Sequence, residues 1–171
     1  PMLHQILRQF LQQVEWGELD YMIIDLPPGT GDVAISLIQT VPVSGAVVVS
    51  TPSDVALQDA RKAIEMFRQV KVEILGIVEN MSFFICPHCH NEIDIFSTGG
   101  GERTAAQFGV PFLGKIELDP DIRKGGDSGR PVVLEGDASP HAQSFFAFAK
   151  QVVARVAEIS GRPPENVIRV H

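Results

Sequence analysis

Cysteine is nearly absent from this sequence: two occur in 171 residues, Cys86 and Cys89, three positions apart. Such a pair is too little for the disulfide framework of a small secreted domain, and it points to a reducing compartment, the cytoplasm. Basic residues are also short. Lys and Arg number 14 against 21 Asp and Glu, a formal net charge of −7, which argues against nonspecific binding to nucleic acid by neutralising phosphates. No apolar run approaches the roughly 18 residues that a membrane-spanning helix needs, and the first residues do not form a secretory signal. An initiator methionine is missing too: the chain opens on Pro1, as a processed protein or a piece of a longer one does. What is present is a 44% share of hydrophobic residues, enough for one domain with a full core.

Met2, Leu3, Ile6, Leu7, Phe10, Leu11 and Val14 recur at helical spacing and predict an amphipathic helix over 2–14, ended by Trp16 and Gly17. Residues 21–26 (YMIIDL) read as a buried strand, which Pro27 and Pro28 cannot extend. A helix over about 33–39 and a strand over 45–50 follow. Ser53 or Asp54 caps the next helix. Ala56, Ala60, Ile64 and Phe67 form its apolar stripe, and Arg61, Lys62, Glu65 and Arg68 face solvent. The β-branched run 74–78 predicts a buried parallel strand. Residues 92–96 alternate like a small half-exposed strand, 98–101 lead into a helix over 102–108 that Gly109 ends, and 112–116 is a further strand. Residues 117–138 read as irregular. Ser139 as N-cap and Pro140 at the first position open the last helix, with Phe145, Ala149, Val152, Val156 and Ile159 as its stripe. Residues 160–171 read as a tail. Strand–helix alternation predicts an α/β fold, a mainly parallel sheet with helices on both faces.

Three places carry chemistry. In open α/β sheets ligands sit outside the carboxyl ends of the strands, and Asn80 stands just past the 74–78 strand. Its amide both donates and accepts, as a nucleobase edge requires; the plain alternative is a loop cap. Asp25, ahead of Pro27-Pro28-Gly29-Thr30-Gly31, has the form of a Walker B and switch II segment. There a carboxylate holds Mg²⁺ and a glycine loop offers N–H groups to the γ-phosphate; the plain alternative is a turn cap. Cys86-Pro87-His88-Cys89 places two thiols close enough to share one metal centre.

The runs YMIIDLPPGTGD, TPSDVALQDARKAIEMF, GIVENMSFFICPHC, FSTGGGE and IRKGGDSGRPVV together closely resemble the Mrp/ApbC family. These are P-loop ATPases, relatives of MinD and ParA, that carry iron–sulfur clusters. The similarity covers about 1–159. It implies a P-loop NTPase fold of the MinD/ParA kind, in which Asp25 is the Mg²⁺-associated switch II carboxylate and Gly29 the γ-phosphate contact. It further implies that Asn80 reads the adenine edge, that Leu118 and Asp119 flank the base, and that Cys86 and Cys89 ligate the cluster. Two departures stand out. The family's phosphate-binding Gly-Lys-Gly-Gly-x-Gly-Lys-Ser/Thr loop does not occur in this sequence, so the chain resembles the downstream portion, with the N-terminal part missing. Without that loop the lysine and the N–H cradle are gone, and the chain alone is expected to bind ATP weakly or not at all. The second departure is His90, where many relatives are expected to have glycine.

The cysteine pair has three readings. Two thiolates are half of a four-cysteine [4Fe–4S] site, and a second copy across a two-fold axis would supply the rest. Zinc is the second, although His88 between the cysteines crowds a tetrahedral site within one chain. A redox-active dithiol is the third, and it wants its first cysteine at a helix N-terminus, where 91–96 alternates like a strand. Pattern alone leaves cluster and zinc open, and the resemblance puts the cluster ahead. The expectation is therefore a cytoplasmic homodimer that holds a bridging [4Fe–4S] cluster and passes it to apo-proteins, using ATP and Mg²⁺ with slow hydrolysis, and binding neither nucleic acid nor membrane. The rival readings are a ParA/MinD-like positioning ATPase with structural zinc at the cysteines, and an interaction module without catalysis. Gly99-Gly100-Gly101 reads as a flexible hairpin exit before an anion cradle. Phe83 and Phe84 read equally as a dimer contact or core, Phe145, Phe146 and Phe148 as partly exposed core. His4, His141 and His171 have no partner that the sequence identifies.

Overall fold

The computed structural model describes residues 2–27 and 32–161. Along the chain run α1 (Met2–Gln12), α2 (Asp32–Thr40), β1 (Ala46–Ser50), α3 (Asp54–Gln69), β2 (Ile74–Glu79), the short strands β3 (Phe84–Ile85) and β4 (Glu92–Ile93), α4 (Gly100–Phe108), β5 (Phe112–Lys115), α5 (Pro120–Asp127), a 3₁₀ segment (Val132–Ala138) and α6 (Pro140–Ser160). β2 lies between β1 and β5, parallel to both. Every residue of β2 is buried, as a two-sided apolar run requires.

The connections β1–α3–β2 and β2–α4–β5 step the same way across the sheet. Right-handed crossovers then place α3 and α4 on one face, where they pack on each other. Val48, Ile64, Phe67, Ile77 and Ala105 meet there as the main core. α6 packs on β2 and β5 from the other face. The α/β expectation of a parallel sheet covered on both sides holds.

α3 shows why its residues form a helix. The Ser53 hydroxyl accepts the Ala56 N–H at 3.4 Å as N-cap. Leu57, Ala60, Ile64 and Phe67 are buried along one stripe; Leu57 takes the place expected of Ala56, and Arg61 is half-buried rather than solvated. Burying Ile64 fully contributes about 1.5–3 kcal/mol.

Several expectations are corrected. Residues 21–27 form no strand, and Ile23 is 84% exposed. A strand exists only where its N–H and C=O groups meet a neighbour, and among the described residues no ladder reaches this run. Asp25 is therefore an exposed residue of an irregular segment, not the end of a strand. Residues 117–138 are not irregular throughout: α5 and the 3₁₀ segment lie within them. Asp119 caps α5, its Oδ1 accepting the Asp121 N–H at 2.6 Å, with Pro120 at the first position. Ser139 makes no side-chain cap bond, and its buried hydroxyl has no partner among the described residues. The 92–96 strand shrinks to β4, paired antiparallel with β3. α1 stops at Gln12, before Val14, and Ile159 of the α6 stripe is exposed. Gly29 and the tail from 162 onward lie outside the described residues.

Candidate functional site

The carboxyl ends of the three parallel strands share one edge. Asn80 follows β2 there, its N–H donating to the Ser50 carbonyl at 2.8 Å. Its side-chain Oδ1 accepts the N–H of Met81 at 2.9 Å, and Met81 takes a left-handed φ of 55°. The amide NH₂ of this half-buried residue has no partner among the described residues, so Asn80 acts partly as the loop cap that was its plain alternative and keeps its donors open.

Beyond β5, Glu117, Leu118 and Asp119 run along the same edge. The Leu118 N–H donates to the Phe83 carbonyl at 2.7 Å, which ties this segment to the start of the cysteine-bearing excursion. His141, which the sequence left without a partner, approaches from α6. Its Nδ1 meets Glu117 Oε1 at 2.5 Å, and Nε2 lies 3.9 Å from Asp119 Oδ1. The hydrogen bond to Glu117 raises the His141 pKa above the ordinary histidine value; burial opposes the shift, and the charges of Glu117, Asp119 and Asp121 add to it. One donor atom each from Asp119, Asp121 and His141 lies within 4.8 Å of the others, a hard-oxygen and imidazole set of the kind that divalent cations accept. Lys124 competes for Asp121 at 2.8 Å and holds that carboxyl below its usual range. A cavity of about 350 Å³ opens beside them, lined among others by Arg130, Val132 and Glu135.

Cys86 and Cys89 are free thiols, the first half-buried and the second exposed. They sit at the far end of residues 80–98, where β3 and β4 pair as Phe84 with Ile93 and Ile85 with Glu92. The tip closes by two backbone bonds, Cys86 N–H to Asn91 O at 3.0 Å and His90 N–H to Cys86 O at 2.9 Å. His90 has φ 57°, the conformation that glycine adopts most readily, at the position where glycine was expected. The N–H of Cys89 first, then that of His88, and the Cys89 thiol hold the Cys86 pKa below that of an ordinary thiol; thiolate is the form that ligates metal. His88 and His90 are exposed. Among the described residues they do not join the two thiols in a close donor group, which Asp119, Asp121 and His141 do form.

The structure thus brings Asn80 and the segment carrying Leu118 to one edge and links that segment to the root of the cysteine arm. Asp25 is exposed, and no hydrogen bond or ion pair ties it to them among the described residues. Two functional candidates escaped the sequence. One is His141. The other is Glu79, fully buried, whose carboxylate accepts the Gly99 and Gly101 N–H groups. The glycine triplet is therefore an anion cradle whose anion is the chain's own carboxylate, rather than a flexible exit.

Residues 1–153 match the family described as ParA: NUBPL iron-transfer P-loop NTPase. The chain belongs to this family. An iron–sulfur cluster carrier protein of Synechocystis is 49% identical over 158 residues, 92% of this chain and 45% of that protein. Among solved structures, the nucleotide-binding protein from Archaeoglobus fulgidus, in complex with ADP and with Co found in it, superposes with a TM-score of 0.71 at 40% identity, covering 85% of this chain and 58% of that one. The cell division ATPase MinD from Pyrococcus furiosus gives 0.65 at 26% identity, over 87% of this chain and 57% of its own. This member of the NUBPL family spans about half the length of the curated carrier proteins it matches, and the resemblance drawn from its motifs stands. None of the helices among its described residues is long and apolar enough to cross a membrane.

Proposed function

We propose that this chain is the cluster-binding portion of an iron–sulfur cluster carrier ATPase, which holds a [4Fe–4S] cluster between two copies and passes it to apo-proteins in the cytoplasm. One observation carries the reading: two free thiols, Cys86 and Cys89, stand at the tip of an arm rooted beside Asn80. Two thiolates meet half the demand of a four-cysteine cluster, and a second copy about a two-fold axis meets the rest. The related carrier proteins support the cargo, and the ADP complex of the Archaeoglobus protein supports the nucleotide.

In this reading Asn80 reads the adenine edge with the NH₂ group that its own loop leaves open, and Leu118 and Asp119 flank the base. Asp25 and Gly29 serve Mg²⁺ and the γ-phosphate, together with a phosphate-binding loop that this sequence does not contain. ATP with Mg²⁺ binds the two arrangements of the dimer unequally, which is what lets it change how tightly the cargo is held; hydrolysis is slow and resets the cycle.

Anaerobic reconstitution with iron and sulfide tests the reading. The expected product is coloured, with a broad visible absorption that zinc cannot give. Cys86→Ala or Cys89→Ala abolishes the colour, whereas His88→Ala and His90→Ala retain it. A colourless protein with zinc bound, lost on His88→Ala, would put a positioning ATPase with structural zinc in its place.

A further inference from the structure

The excursion 80–98 is closed at its base by a single carboxylate. Glu79 is fully buried. Its Oε1 accepts the Ser82 hydroxyl at 2.5 Å and the Gly99 N–H at 2.9 Å, and its Oε2 accepts the Gly101 N–H at 2.5 Å. The outgoing limb of the excursion, at Ser82, and the returning one, at Gly99, therefore meet on one oxygen. The Thr98 hydroxyl adds a direct tie, donating to the Ser82 carbonyl at 2.7 Å. Ser82 is fixed to the sheet edge as well, its N–H donating to Ile116 O at 2.9 Å.

No Lys or Arg pairs with Glu79 among the described residues. Its partners are a hydroxyl and two N–H groups at the start of α4, those of the N-cap Gly99 and of Gly101, where a helix favours an anion. The fit is close: a Cβ at Gly101 would stand 3.0 Å from Oε2, and one at Gly100 would stand 2.5 Å from the Pro52 carbonyl. Burying a carboxylate costs desolvation that an apolar residue would avoid. What a carboxylate adds is two oxygens that accept several bonds at once, enough to grip both sides of the arm.

We propose that Glu79 is a positioning residue for the cysteine pair: its carboxylate clamps both sides of the 80–98 arm to the start of α4 and so fixes where Cys86 and Cys89 stand. The consequence for cargo rests on the cluster-carrier reading, whereas the clamp itself does not.

Two variants separate clamp from general stability. Ser82→Ala removes one leg and leaves both N–H groups on the carboxylate, so the fold is kept. Glu79→Gln sets an amide NH₂ against an N–H donor and weakens the whole clamp. Hydrogen exchange on the full chain is read by segment. Loss of one bond to a charged group corresponds to about tenfold or more. In Ser82→Ala the arm amides from Ser82 to His90 exchange about tenfold faster and those of β2 are unchanged. In Glu79→Gln the arm effect is larger. After anaerobic reconstitution each variant gives up iron to a chelator faster, by a factor similar to its own arm effect. Arm exchange that stays at the wild-type rate in both variants, or rises equally in the arm and β2, overturns the clamp. Should wild type take up no iron at all, the carrier reading falls, and the exchange data alone decide the clamp.

Discussion

His141 lies against Glu117, with Asp119 and Asp121 beyond it, and this acidic setting raises its pKa above the ordinary value. The direction fixes a pH effect. A histidine whose folded pKa exceeds its unfolded one stabilises the fold fully below the unfolded value, about 6.5, and loses that contribution as pH rises through the folded value. Lys124, paired with Asp121 on α5, and Arg130 and Glu135 on the cavity wall are the other charges nearby. The melting temperature of wild type should therefore fall more than that of His141→Gln between about pH 6 and about pH 8, with wild type the more stable at the acid end and the two converging at the other. A gap that widens towards higher pH contradicts the assignment. Nothing in the sequence placed Glu117 near His141, because the contact forms only when α6 folds back on β5. Cys86 and Cys89 were legible as a candidate pair because a C-x-x-C spacing is written contiguously. Glu79 was hidden for a third reason: its partners, Gly99 and Gly101, are close only after the arm has returned.

At the level of elements, legibility followed whether an element carries its own determinants. α3 has a Ser53 cap and a stripe that ends in Ile64 and Phe67, and it forms where its spacing predicts. β2 is an apolar β-branched run with neighbours on both sides. The 21–26 run is equally apolar, yet a strand is completed by its neighbours, and here the described residues offer none. α5 was missed although Asp119-Pro120 repeats the cap-and-proline pattern read correctly as a helix start at Ser139-Pro140; the glycines that follow it masked its short helix. This division predicts unequal costs. Ile64→Ala, in the fully buried α3 stripe, should lower the unfolding free energy by about 2–5 kcal/mol. Phe10→Ala, at a residue of α1 that is 56% exposed, should stay within about 0.5 kcal/mol. Urea unfolding of the two variants reads both, and comparable losses would show that α1 is packed in solution against something beyond α2.

For the whole molecule, the proposed assembly is two copies joined through their arms. Among the described residues β1 and β5 are the outer strands of a three-stranded sheet, and the arm carries exposed Cys89 and the exposed side chains of Ile85, Ile93 and Ile95. Exposed apolar side chains on the arm that carries the two thiols suit the isologous contact of the proposed dimer, in which the same patch on a second copy would supply the other two ligands. Cargo held in this way has a stoichiometry that no site within one chain can imitate. Native mass spectrometry of the anaerobically reconstituted protein reads it most directly. The account predicts a dimer that carries one cluster of about four irons, with iron-free monomer as the remainder. A cluster-sized mass on the monomer, or one zinc on each chain, would contradict it.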